Sequence, residues 1–169
     1  MTPSTLMLTS FQQGLLNWVP INDTVMGGLS QSRFETIAGE GIFSGRVSLD
    51  NSGGFASVKA GLSQMVPLHN FRAIRISYCP DGKAYDIRLR VQEEQWAHIA
   101  YRFTLPPSSG TWQTADCPLD EFSPTFRGRH KPEAPALSSL TLSQVGFLIS
   151  QRQAGPFEFR VRQLLLIGG

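Results

Sequence analysis

Arginine is the chemistry-bearing side chain that recurs with the clearest spacing in this chain. Arg88 and Arg90 fall on the polar phase of one alternating run, Arg102 on that of the next, and Arg75, Arg160 and Arg162 on those of two others, with Asp86 and Glu158 interspersed. A guanidinium offers a planar fork of donors that grips a carboxylate bidentately or hydrogen-bonds a sugar. If two or three of these runs are neighbouring strands, the arginines make a row on one sheet face. The competing reading is a solvated surface laced by ion pairs worth about 0–1 kcal/mol each, and the two stand level. Arg88, Arg90 and Arg102 are the candidates for a binding row.

Carbohydrate recognition also needs a flat ring beside directional donors. Trp96, in the polar stretch Gln92-Glu-Glu-Gln-Trp96, is the candidate for an exposed ring, whereas Trp18 and Trp112 read as framework anchors. Two glycine-paired loops add small polar groups: Asp23 with Met26, Gly27, Gly28 and Ser30, and Gly53, Gly54 and Phe55. As a binding surface, Asp23 and exposed amides would orient a partner. As framework, which is the stronger reading, Asp23 caps a turn, Met26 fills a core gap, the glycines supply special backbone angles and Phe55 anchors its loop in the core.

The usual catalytic constellations leave no mark. No Gly-x-Ser-x-Gly elbow or phosphate-binding Gly-x-x-x-x-Gly-Lys-Ser/Thr loop occurs, and Gly39-Glu-Gly41-Ile-Phe-Ser-Gly45 reads as a turn entering a strand. His69, His98 and His130 are far apart, and Cys79 and Cys117 lack zinc-ligand spacing, so both cysteines are expected as reduced thiols. Asp23, Asp50, Asp81, Asp86, Asp116 and Asp120 keep a structural calcium open without any spacing that predicts one. Glu93-Glu94 and Asp120-Glu121 are adjacent pairs expected in solvent rather than an acid/base couple. The expectation is a non-enzymatic domain without a cofactor, with an enzyme of unknown reaction as the second alternative.

What must position these residues is a β framework. The 169 residues, 41% of them hydrophobic, suit a single domain over 1–169 with a sizeable core. Lys plus Arg number 15 against 13 Asp plus Glu, and with no RNP-type motif nucleic acid is not an expected partner. Ile74, Ile76 and Tyr78 alternate with polar residues, as do Tyr85, Ile87, Leu89 and Val91, then Ile99, Tyr101, Phe103 and Leu105, and finally Phe157, Phe159 and Val161. That is the period of half-buried strands. Further strands are expected over 30–37, 41–48, 55–59, 111–116 and 145–150, short helical turns over 12–17 and 137–144, and a long turn region over 123–139. Half-apolar strands hide one face each by stacking two sheets, so an all-β sandwich is the economical architecture. No stretch approaches the ~18 apolar residues of a membrane span, which limits membrane contact to the periphery. The N-terminal residues lack the character of a secretory or mitochondrial leader, giving an expectation of cytoplasmic residence.

Trp18, Asn22-Asp23, Val25-Met26-Gly27-Gly28, Ser30, the Phe43-Ser-Gly45 strand, Gly53-Gly54-Phe55, the Tyr85 strand and Trp112 follow one another in an order that resembles the family of complex I intermediate-associated protein 30. The resemblance covers nearly the whole chain, and the Asp-x-Val-Met-Gly-Gly-x-Ser run is its distinctive part. It implies a galactose-binding-like jelly roll and a chaperone-like assembly role on a respiratory or photosynthetic membrane complex through contacts with protein subunits. A carbohydrate-binding module, with a glycan as ligand, is the alternative.

Overall fold

A computed structural model describes residues 5–9, 11, 17–22, 28–50 and 54–169. Its strands are β1 (Thr5–Thr9), β2 (Trp18–Asn22), β3 (Gln31–Ile37), β4 (Glu40–Val47), β5 (Ala56–Pro67), β6 (Phe71–Cys79), β7 (Asp86–Val91), β8 (Ala100–Thr104), β9 (Gln113–Pro118), β10 (Ser123–Phe126), β11 (Arg129–His130), β12 (Thr141–Ile149) and β13 (Gly155–Gly168). They form a six-stranded sheet in the order β3-β4-β13-β6-β9, with β1 also on β13, and a seven-stranded sheet in the order β11-β10-β8-β7-β12-β5-β2. Every pairing between these strands is antiparallel. The expected all-β, two-sheet sandwich is therefore the architecture of the described chain.

Alternation decides what lies between the sheets. Ile74, Ile76, Tyr78, Ile87, Leu89, Phe157, Phe159 and Val161 are all in the core cluster, each large apolar side chain contributing about 1.5–3 kcal/mol when fully buried. Aromatic contacts tie the two layers: Trp18 lies 4.4 Å from Phe34 and 5.5 Å from Phe147, and Phe147 lies 5.0 Å from Phe159. The buried phenols have partners. Tyr78 Oη donates to the Pro106 carbonyl at 2.8 Å, Tyr101 Oη to that of Pro135 at 2.7 Å, and burial pushes both pKa values up to about 12.

The structure differs from the sequence reading in several elements. Strand β5 runs well past residue 59 because β12 continues to pair with it as far as Pro67. The region 123–139 holds the β10–β11 hairpin, closed by Arg127 and Gly128 at φ 51° and 79° between the paired Phe126 and Arg129. Positive φ at both central residues is the tight-hairpin geometry that matches strand twist. The helical turn expected over 137–144 is a single 3-10 turn, Leu137–Ser139, after which β12 begins at Thr141. The turn expected over 12–17 falls, apart from Asn17, outside the described residues.

Candidate functional site

Strand register assembles the site on the outer face of the seven-stranded sheet. One row crosses it as Val19 on β2, Lys59 on β5, Gly146 on β12, Arg88 on β7, Arg102 on β8 and Ser123 on β10. Gln144 lies opposite Arg90 on one side of this row, and Ile21, Ser57, Leu148, Asp86 and Thr104 make the next row on the other. A cleft of about 840 Å³ lies over these rows, with Lys59, Arg88, Arg90 and Arg102 among its lining and Phe55 and Phe126 at its margins. Gly146 shapes the floor: a Cβ there would stand 2.6 Å from the Val58 carbonyl oxygen and 3.4 Å from Lys59 Cα.

The charges in the cleft are unevenly compensated. Arg102 Nε donates to Asp86 Oδ2 at 3.0 Å and its Nη2 contacts the same oxygen, while Thr104 Oγ1 donates to Asp86 Oδ1 at 2.7 Å. Arg90 Nη1 donates to the Ala97 and His98 carbonyls at 3.4 and 3.5 Å. Arg88 Nε and Gln144 Oε1 are buried and, among the described residues, have no hydrogen-bond partner. Burial, then Arg90 and Arg102, push the Arg88 guanidinium below its ordinary pKa against the pull of Asp86. Burial does the same at Arg90, and burial with Arg90 and Arg88 lowers Lys59. An arginine stays protonated at physiological pH, so the face holds positive charge partly withdrawn from water, an arrangement that an entering anion stabilises.

The six sequence-predicted arginines divide between the sheets. Arg88, Arg90 and Arg102 line the cleft. Arg75, Arg160 and Arg162 lie on the six-stranded sheet, where Arg75 pairs with Asp116 at 2.6 Å, Arg160 with Glu158 at 3.0 Å, and Arg162 with Glu40 at 3.4 Å. A single row of all six is ruled out because β6 and β13 belong to the other layer.

Trp96, expected as an exposed ring, ends a 3-10 turn at Glu94–Trp96 and is half-buried against the core, away from the cleft lining. Trp112, expected as an anchor, instead lies under the Arg162 guanidinium, 3.8 Å from ring centroid to Cζ. Phe55, expected in the core, is at the cleft margin. Ser30 is fully buried and holds β3 to the residue after β4: its Oγ accepts from Ser48 N at 2.9 Å and donates to Ser48 O at 3.3 Å. Gly28 is buried and Gly54 is half-buried at φ 145°, whereas Asp23, Met26, Gly27 and Gly53 lie outside the described residues.

Sequence reasoning passed over Lys59, Gly146 and Gln144. Lys59 carried a signal, since Ser57 and Lys59 are the polar phase beside Ala56, Val58 and Ala60. Gly146 carried none, because its role follows from register. Among the described residues no three His, Cys, Asp or Glu side chains group as metal ligands, and no helix is long and apolar enough to cross a membrane. Cys79 and Cys117 are free thiols, the latter pushed up to about 12 first by burial.

Two antiparallel sheets with a cleft on one outer face make a β-sandwich with the galactose-binding-like fold. The chain is similar in structure to the family 11 carbohydrate-binding module of Clostridium thermocellum, solved in complex with a β-1,3-1,4-mixed-linked tetrasaccharide, at TM-score 0.72 and 18% identity over 98% of this chain and 96% of that one. It is also similar to a family 29 carbohydrate-binding module, at TM-score 0.58 and 10% identity over 99% and 94%, and to an agarase, at TM-score 0.64 and 11% identity over 96% and 24%. Identities this low carry the fold alone. The sequence goes further: residues 9–161 match the family of complex I intermediate-associated protein 30 (CIA30), and the chain belongs to that family. No curated protein matches it.

Proposed function

We propose that this chain is a non-enzymatic, single-domain assembly factor that holds a protein subunit of a respiratory or photosynthetic membrane complex against the cleft formed by Lys59, Arg88, Arg90 and Arg102. The observation that carries this reading is the directly opposed pair Arg88 and Arg102, of which only the second is in ion-pair contact with a carboxylate among the described residues. Charge left uncompensated on a concave face favours an acidic partner and steers its approach. Family membership supports the assembly role. The reading includes a cytoplasmic location and at most peripheral membrane contact, with the loops over 23–30 and 51–55 as orienting elements.

Affinity purification of the tagged chain from its native source at low salt tests the reading. Recovery of membrane-complex subunits, lost when Arg88→Gln and Arg90→Gln are combined, supports it; recovery of no such subunit overturns it. Glycan recognition by the same face is the second reading, favoured by the likeness to carbohydrate-binding modules. Against it, Phe126 is already engaged, edge-on to His98 at 5.2 Å and beneath Arg127 at 5.2 Å. Binding on a glycan array that is abolished by Arg88→Gln would install this second reading in place of the first.

A further inference from the structure

The same lattice specifies what shape of partner the cleft accepts, an inference that rests on the protein-binding reading above. Arg88 and Arg90 leave one face of β7 two residues apart, which is about 6.8 Å along the strand. Side chains at alternate positions of any extended chain leave one of its faces at the same interval, while adjacent side chains point to opposite sides. Carboxylates at positions i and i+2 of an extended segment laid along β7 therefore reach both guanidinium groups at once, and adjacent carboxylates do not.

The floor and the far end of the cleft sharpen this further. Gly146 separates Lys59 from Arg88 in register, so a lane two strand spacings wide, about 10 Å, runs over β12 with a cation on each side. One step along the strands from Arg88, away from Arg90, the lining changes character. Ile21, Ser57 and Leu148 form that row, Ser57 and Leu148 being buried, and the neighbouring Asp86 carboxylate already belongs to Arg102. A third alternating carboxylate would meet Asp86 with like charge and find no free donor, whereas an uncharged side chain meets no such repulsion.

We propose that the cleft recognises an extended, acidic protein segment with two carboxylates at alternate positions over Arg88 and Arg90 and an uncharged residue at the next alternate position, toward Asp86. The carboxylate nearest Arg88 offsets a guanidinium charge that stands directly opposite Arg102 and has no carboxylate in ion-pair contact among the described residues. Lys59 faces the bound backbone from the opposite wall and adds charge without fixing geometry.

Fluorescence anisotropy with labelled peptides on the full chain tests this. One peptide carries Phe-Thr-Glu-Thr-Glu, its isomer of identical composition carries Phe-Thr-Thr-Glu-Glu, both flanked by Gly-Ser, and both are made in the two chain directions. In one direction the alternating peptide should bind at least about tenfold tighter than its isomer, and Arg88→Gln should remove most of that preference. Arg162→Gln on the opposite sheet should change neither. Equal binding of the isomers, binding insensitive to Arg88→Gln, or binding of tetragalacturonate with no peptide bound would overturn the inference. Capture of complex subunits from the native source without any peptide preference would sink this inference and leave the assembly reading standing. Peptide preference without such capture would do the reverse. Circular dichroism and urea unfolding of Arg88→Gln establish that its loss of binding is not a loss of fold.

Discussion

Arg88 and Arg102 face each other directly across β7 and β8, and the carboxylate that lies beside them, Asp86, hydrogen-bonds to Arg102. Like charges in this register destabilise a sheet by about 0.2–1 kcal/mol. Arg88→Gln should accordingly raise the unfolding free energy by about that amount in urea denaturation while weakening binding. A variant that loses both stability and binding would mean that Arg88 belongs to the framework.

Asp86 is the opposite case. It is 3% exposed and accepts from Arg102 and Thr104. Asp86→Ala should cost about 1.5–3 kcal/mol, less than the ~3–5 kcal/mol of a fully buried pair, because Arg102 keeps some access to water. Chemical denaturation measures this directly, and Asp86→Asn should recover part of the loss through the Thr104 hydroxyl.

Gly146→Ala should destabilise the sheet by about 1–3 kcal/mol, since the new methyl meets backbone rather than a flexible side chain. The same methyl would raise the cleft floor between Lys59 and Arg88. Thermal unfolding and peptide binding should both worsen, whereas Gly61→Ala, with nothing within 4 Å of its Cβ position, should leave folding intact.

Lys59 reports on the field of the cleft. Its pKa is lowered, first by burial and then by Arg90 and Arg88. A lysine depressed in the folded state costs stability while charged; the cost is fully present at neutral pH and falls away as pH rises through the folded-state value towards the unfolded one. Titration of the Lys59 Cε and Nζ resonances should show a midpoint below that of an exposed lysine, moving upward in Arg88→Gln and upward again with acidic peptide bound. A midpoint that moves in neither case would show that these charges do not meet.

Much of the sandwich was legible because its inward residues obey period two. Ile87, Leu89 and Val91 announce β7 and put Arg88 and Arg90 on the other face, so the cleft arginines could be named before their strands were placed. What alternation cannot supply is adjacency. That Arg102 joins them while Arg75, Arg160 and Arg162 do not is a matter of strand order, which depends on non-local pairing. Tight hairpins at Ala38-Gly39 and Arg127-Gly128 reach positive φ at non-glycine residues without the Asn-Gly or Asp-Gly pair that signals such turns. The second of these brought Phe126 to the cleft unannounced. Trp96 misled because a polar stretch folded back as a 3-10 turn and laid its ring on the core.

Strand β13 follows β3, β4, β6 and β9 in sequence yet inserts between β4 and β6 and also carries β1. Its partners leave the ribosome before it does, and although β4 can pair with β3 and β6 with β9, the edges of β1, β4 and β6 that face β13 stay unpaired until it arrives. The six-stranded layer must thus wait, with open edges, for a keystone of 14 residues delivered late, which predicts slow folding dominated by distant contacts. A domain proposed to shelter unfinished assemblies would itself pass through a vulnerable interval during synthesis.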